Sequence, residues 1–314
     1  MDTENGVPES SPLPRRGISA IFLNERGLRA GWRLLIFAPL WCVMIIVFGT
    51  IASLVRKEMG LPTSFFAPSR QLLANGSVIL ATLVATWVMS RIEGRKLGEY
   101  GLPMKRSAAP SFVRGYFLWG FLPLSLFLLA LRVLHRFDFG SVALHHAQIF
   151  YWAAVWGLVF LSVALLEEYL FRGYVLATLA DGLGFWPAAI ILAAFFAYSH
   201  TGNPGETRLG IIGVGMFALF ASATIRRTGN LWLAVGAHAG WDWGQSYFYG
   251  VSDSGIQIPG HFMDPRISGP EWLTGGSAGP EGSVLTLALL VVMTVLFLMM
   301  YRGRRPDSAA DSAD

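Results

Sequence analysis

Glu167 and Glu168 stand side by side, with Arg172 four residues beyond the second, in an otherwise apolar run from about Phe150 to Leu179. An ionisable side chain at the centre of a bilayer helix costs roughly 2.5–3.5 kcal/mol on insertion scales, so three in close succession need a reason. On a helix Glu168 and Arg172 share a face and can pair. Glu167 points about 100° away and has no local partner. A buried carboxylate without a nearby cation has a perturbed proton affinity and is a candidate general base or acid. The plainer reading places these charges at a helix end, snorkelling to water. The apolar pattern resumes after Arg172, which speaks for the first reading.

Three more ionisable residues lie in apolar stretches. His200 closes Phe195-Phe196-Ala197-Tyr198-Ser199-His200, and His238 and Asp242 sit in Gly236-Ala237-His238-Ala239-Gly240-Trp241-Asp242. The last two are i, i+4 and face the same way on a helix. Each has a plain alternative: His200 capping its helix end, His238 as a hydrogen-bonded core histidine, Asp242 as its partner. Taken together with an unpaired Glu167 they point to a site, because ionisable residues inside a membrane usually mark one.

The elements that must position these groups are membrane helices. The chain is 54% hydrophobic and 14% charged, with mean hydropathy +0.50. A soluble domain carries about 25% charged residues. Eight stretches approach the roughly 20 residues needed to cross a bilayer: Trp32–Val55, Gln71–Ser90, Ser111–Leu134, Gln148–Leu179, Gly184–His200, Leu209–Ile225, Asn230–Tyr249 and Ser283–Tyr301. The expected fold is therefore an all-α, polytopic membrane helix bundle of about eight transmembrane helices. The fourth stretch is too long for one simple crossing and must tilt or project. With the turn at residue 183, Glu167 lies 16 residues before it and His200 17 after it. Across an antiparallel pair both are about 24 Å from the turn, hence level. Span seven re-enters from the same side, so Glu167, His200, His238 and Asp242 can share one cavity.

Positive residues orient the bundle. Clusters precede span one (Arg15, Arg16, Arg26, Arg29, Arg33) and follow spans two (Arg91, Arg95, Lys96, Lys105, Arg106), six (Arg226, Arg227) and eight (Arg302, Arg304, Arg305). All fall on one side of an eight-span bundle. The expected localisation is the cell membrane, multi-pass, with both termini cytoplasmic. Arg56, Lys57 and Arg70 break this pattern on the other side. The formal net charge of +4 reflects such loops and not nucleic-acid binding. The single cysteine, Cys42, allows neither an internal disulfide nor a cysteine-based metal site. The polar first thirty residues do not read as a secretory signal peptide. No internal repeat is evident, which weakens a secondary-transporter reading.

Three short motifs then carry a resemblance. Glu167-Glu168-Tyr-Leu-Phe-Arg172, Phe196-Ala-Tyr-Ser-His200 and His238-Ala-Gly-Trp-Asp242 resemble the Glu-Glu-x-x-x-Arg, Phe-x-x-x-His and His-x-x-x-Asn/Asp motifs of the CPBP family of intramembrane proteases. That family is also called the CAAX-protease and bacteriocin-processing family, or Abi family. Each motif alone is weak; all three in order, each in a span, are specific. The likeness covers residues 148–249. It implies an intramembrane endopeptidase in which Glu167, helped by His200, activates water. His238 and Asp242 would stabilise the oxyanion, with Glu168, Arg172 and Phe196 in support. Relatives often carry asparagine at the position of Asp242. A neutral acid there could donate like an amide; an ionised one could hold His238 as a charged donor.

On this reading residues 1–30 form a polar cytoplasmic segment and 31–147 the N-terminal transmembrane helices. Residues 148–249 are the CPBP-like catalytic core, 250–282 an extracytoplasmic Gly/Pro-rich loop, 283–302 the last transmembrane helix and 303–314 a disordered tail. No cofactor is expected, and the partners are membrane lipids and a peptide or membrane-protein substrate. Three rival readings remain. One is a zinc metalloprotease liganded by Glu167, His200 and His238, although His-Glu-x-x-His is absent. Another is a membrane immunity or scaffold protein that does no catalysis. The third is a proton-coupled transporter using the same Glu and His chain.

Overall fold

A computed structural model describes residues 19–24, 27–64, 66–203 and 205–303. Most of the expected polar segment 1–30, and the tail from 304 on, with its expected disorder, lie outside the described residues. The described chain is mostly helical, with short antiparallel strand pairs and connecting loops. Its main helices are α1 (Ala30–Glu58), α2 (Pro68–Glu93), α3 (Ala108–Val133), α4 (Ala147–Arg172), α5 (Tyr174–Leu183), α6 (Phe185–Ser199), α7 (Arg208–Thr228), α8 (Trp232–Asp242) and α9 (Val284–Met300). α1, α2, α3, the α4–α5 stretch and α7 are long and apolar enough to cross a membrane. The protein is an all-α polytopic bundle.

Local chemistry sets the helix boundaries. Pro68 occupies the first turn of α2, and Gly94 ends it in the left-handed conformation. The Thr207 side chain accepts from the Gly210 N–H to start α7, and Ser283 accepts from Leu285 to start α9. The over-long fourth stretch is two helices. It breaks at Gly173, where a Cβ would meet the Tyr169 carbonyl. Glu167, Glu168 and Arg172 therefore occupy the last turns of α4 and not the middle of a continuous run.

α8 is the most enclosed element: every residue from Leu233 to Asp242 is buried. Its Gly236 and Gly240 sit against α3. A Cβ at Gly236 would meet the Phe112 carbonyl, and one at Gly240 the Tyr116 carbonyl. In return Gly115 and Gly120 of α3 lie against the Leu233 and Ala237 carbonyls. Gly115–Phe121 winds as a π-helix, whose i→i+5 bonds stack residues five apart and bring both glycines to one face. Trp119, Phe220, Leu233, Phe297 and Tyr301 form the core beside this crossing.

The two ends of the bundle are tied differently. At one end Arg33 pairs with Glu93 at 2.7 Å and Asp181 at 2.9 Å, joining α1, α2 and α5. Tyr174 also donates to Glu93, at 2.6 Å. The start of α8 is fixed there by Leu231 N–H donating to the Gly101 carbonyl at 2.7 Å. At the other end residues 250–282, expected as a loop, form a built strap. Met263–Ile267 (β2) pairs antiparallel with Phe137–Val142 (β1), the connection between α3 and α4. Trp156 Nε1 donates to the Pro259 carbonyl at 2.9 Å, and Ser277 Oγ to the Gly205 carbonyl at 2.8 Å.

Candidate active site

The last turns of α4, the end of α6 and the middle of α8 converge on one cavity of about 410 Å³. Glu167, His200, His238 and Asp242 all line it. Phe160, Val163, Val214, Phe217, Trp241 and Leu290 supply apolar wall, and Arg70 and Asn75 of α2 reach it from the side. Arg70, out of place as an outer cation in the sequence, thus belongs to the cavity.

Glu167 keeps 23% of its side chain exposed, whereas that of Glu168 is wholly buried. The two neighbours therefore have different surroundings. Glu167 Oε2 stands 4.0 Å from His200 Nε2 and 3.7 Å from His238 Nε2. The Nδ1 of His200 lies 2.8 Å from the Phe196 carbonyl, an acceptor, so this nitrogen carries a ring proton and Nε2 is the one turned toward Glu167. His238 Nε2 also faces Asp242 Oδ2 at 3.4 Å, while its Nδ1 lies 3.0 Å from Glu168 Oε1. Carboxylate oxygens thus face both ring nitrogens of His238.

Glu168 and Arg172 pair at 3.2 Å, as their spacing predicts. The same carboxylate oxygen contacts His238, a link across seventy residues that α4 alone could not disclose. Phe196 completes the support: the Arg172 guanidinium lies 4.3 Å from its ring centroid, a cation–π distance. Its ring also meets His200 edge to face at 4.6 Å. Asn75 was not singled out by the sequence. It donates to Ser162 Oγ at 3.0 Å and joins α2 to α4 beside the cavity. Asp253, Ser254 and Glu281 from the strap line the cavity too; no motif marked them.

Two ligands of a tetrahedral zinc with bonds of 2.0–2.1 Å stand about 3.4 Å apart. The contacts of Glu167 to the two Nε2 atoms are longer. Among the described residues no group of three or more His, Cys, Asp or Glu side chains is placed to hold a metal ion. Glu167, His200 and His238 as arranged are therefore not set at zinc-ligand spacing.

Residues 147–244 match the family described as Type II CAAX prenyl endopeptidase Rce1-like. The match contains all three motifs and the helices α4 to α8 that build the cavity. This match is consistent with a CPBP/CAAX protease family. The family implies a protease embedded in a membrane, acting on peptide substrates. No curated protein matches the chain, and no solved structure does.

Proposed function

We propose that this chain is an intramembrane endopeptidase that hydrolyses peptide bonds of membrane-associated substrates, with Glu167 as general base. The observation that carries the reading is the 4.0 Å separation of Glu167 Oε2 and His200 Nε2. With hydrogen bonds of about 2.8 Å, one water can donate to both acceptors and present its lone pair to a carbonyl carbon. Glu167 takes the proton as the C–O bond forms. It returns the proton to the leaving amine as the C–N bond breaks. His238 lies beside this pair: its Nδ1–H is held by Glu168, and its Nε2–H, with Asp242 at the longer 3.4 Å, turns from that carboxylate to the developing oxyanion. Asp242 then acts as an ionised partner of His238, in the way a hydrolase carboxylate supports its histidine. Glu168 and Arg172 hold His238 in place and do not touch the substrate.

The orientation belongs to the same proposal. The Arg33 end carries the basic clusters and faces the cytoplasm with both termini; the strap end faces outward. The motifs equally suit a site that no longer turns over, so the test reads cleavage. Membrane proteomes of cells carrying the native chain and Glu167→Gln are compared for new termini. Termini present only with the native chain support an endopeptidase; identical sets overturn it. Cleavage of such a substrate by the purified chain after exhaustive chelation supports the metal-free mechanism. Loss restored by zinc alone overturns that mechanism in favour of the Glu167, His200, His238 ligand set.

A further inference from the structure

The mechanism above gives the developing oxyanion one donor, the Nε2–H of His238. A preorganised hole surrounds such an oxygen with several donors. The acidic groups that share the cavity work against it: Glu167, Asp242, Asp253 and Glu281 all line the wall, and an ionised carboxylate can only accept. Several neutral donors there are already engaged. Asn75 donates to Ser162 at 3.0 Å, Ser199 to the Phe196 carbonyl at 2.7 Å, Ser246 to Asp253 at 3.1 Å, Ser254 to Glu281 at 2.8 Å and Thr286 to the Pro280 carbonyl at 2.6 Å. Asn203 is different. It lines the cavity, and its side chain has no hydrogen-bond partner among the described residues.

The backbone sets where that carboxamide stands. His200–Gly202 make one turn of 3₁₀-helix at the end of α6, closed by the Asn203 N–H donating to the His200 carbonyl at 3.0 Å. In such a turn side chains three apart eclipse, with a rise of about 2.0 Å per residue. Asn203 keeps φ at −70°, within the 3₁₀ range, so its Cβ stays in that register; its ψ of 136° leads the following chain away. Pro204 comes next in the sequence, and a proline favours extended ψ in the residue before it. The Asn203 side chain therefore lies on the His200 side of the turn, about 6 Å along its axis. His200 Nε2 in turn stands 4.0 Å from Glu167 Oε2, the pair that holds the attacking water. We propose, resting on the endopeptidase reading, that Asn203 is a further catalytic residue: its Nδ2 amide donates, alongside His238, to the carbonyl oxygen of the scissile bond as it becomes an oxyanion. An amide suits the place because its NH₂ carries hydrogens at every working pH. Because Asn203 is only half-buried, leaving the amide unpaired in the free protein carries little desolvation penalty.

The experiment uses the full-length, detergent-solubilised chain and a peptide spanning a bond found in the terminus comparison. A contact made only in the transition state lowers kcat when removed and leaves KM nearly alone. Asn203→Ala should lower kcat about 10²–10³-fold, the usual loss on removing one oxyanion donor. Asn203→Asp keeps the shape and puts an acceptor where the donor was, so it should lose at least as much at neutral pH. Melting temperatures of both variants should stay near the native value, since no protein partner is lost. A second readout needs no turnover. A phosphinic analogue of the peptide carries a tetrahedral anion in place of the scissile carbonyl, and its Kd should rise in Asn203→Ala by about the factor by which kcat/KM falls. Native kcat in Asn203→Ala, a change confined to KM, or unchanged affinity for the analogue overturns the proposal while the endopeptidase reading stands. A native chain that yields no new termini overturns both. Should Asn203→Ala fail to fold, the aspartate variant decides alone.

Discussion

Adjacent glutamates of identical chemistry differ in burial, and the proposed mechanism gives them different work. Glu167→Gln keeps the shape of the side chain and removes the proposed base; activity should fall by roughly 10² or more with little change in thermal stability. Glu168→Gln strikes a wholly buried ion pair. It leaves Arg172 uncompensated, a loss of about 3–5 kcal/mol in comparable cases, so both activity and melting temperature should drop. Activity and unfolding assays on the two variants check the division, and equal stability losses would refute it. Asp242→Asn removes one of three carboxylates around His238. Its activity should fall at neutral pH and recover toward lower pH; a profile matching the native one would leave Asp242 a packing residue. The residue types and the i, i+4 pairings were legible because a charge inside an apolar run has few reasons to be there. The Glu168–His238 contact was not, since it depends on how two helices rotate about their axes.

Helices are placed here by what they lack. The Gly236–Gly240 pair lets α8 touch the α3 backbone, as small residues four apart do in membrane helix pairs. Gly240→Ala sets a methyl against the Tyr116 backbone, which cannot yield as a side chain would. Overpacking of this kind costs about 1–3 kcal/mol. Because His238 and Asp242 flank that glycine, cleavage should fall together with the melting temperature. A variant of native stability and full activity would contradict the tight crossing. The apolar stretches themselves were readable from composition, since lipid demands them. Less readable was the strap. Its Gly and Pro content signals turns, but its order comes from pairing with Phe137–Val142, more than a hundred residues earlier. The break at Gly173 was hidden for the opposite reason: hydropathy continues smoothly across it.

For the molecule as a whole, the Arg33 network and the strap mark opposite ends. Lys96 lies beside the first and Ser268 in the second, both exposed. Cysteines at these positions, in Cys42→Ser vesicles of known sidedness, should label from opposite faces with an impermeant reagent. Labelling of both from one face would remove the orientation. α1 packs against α2 and α5 along one face and leaves the rest of its surface open. Only 6% of its most apolar window is buried inside the protein, and Leu35, Val43, Ile46 and Leu54 are exposed along it. Cys42, the only thiol of the chain, is exposed on the same helix. The native sequence therefore carries its own single-site spectroscopic reporter. A nitroxide attached to Cys42 should be relaxed more strongly by dissolved oxygen, which concentrates in hydrocarbon, than by a water-bound nickel chelate.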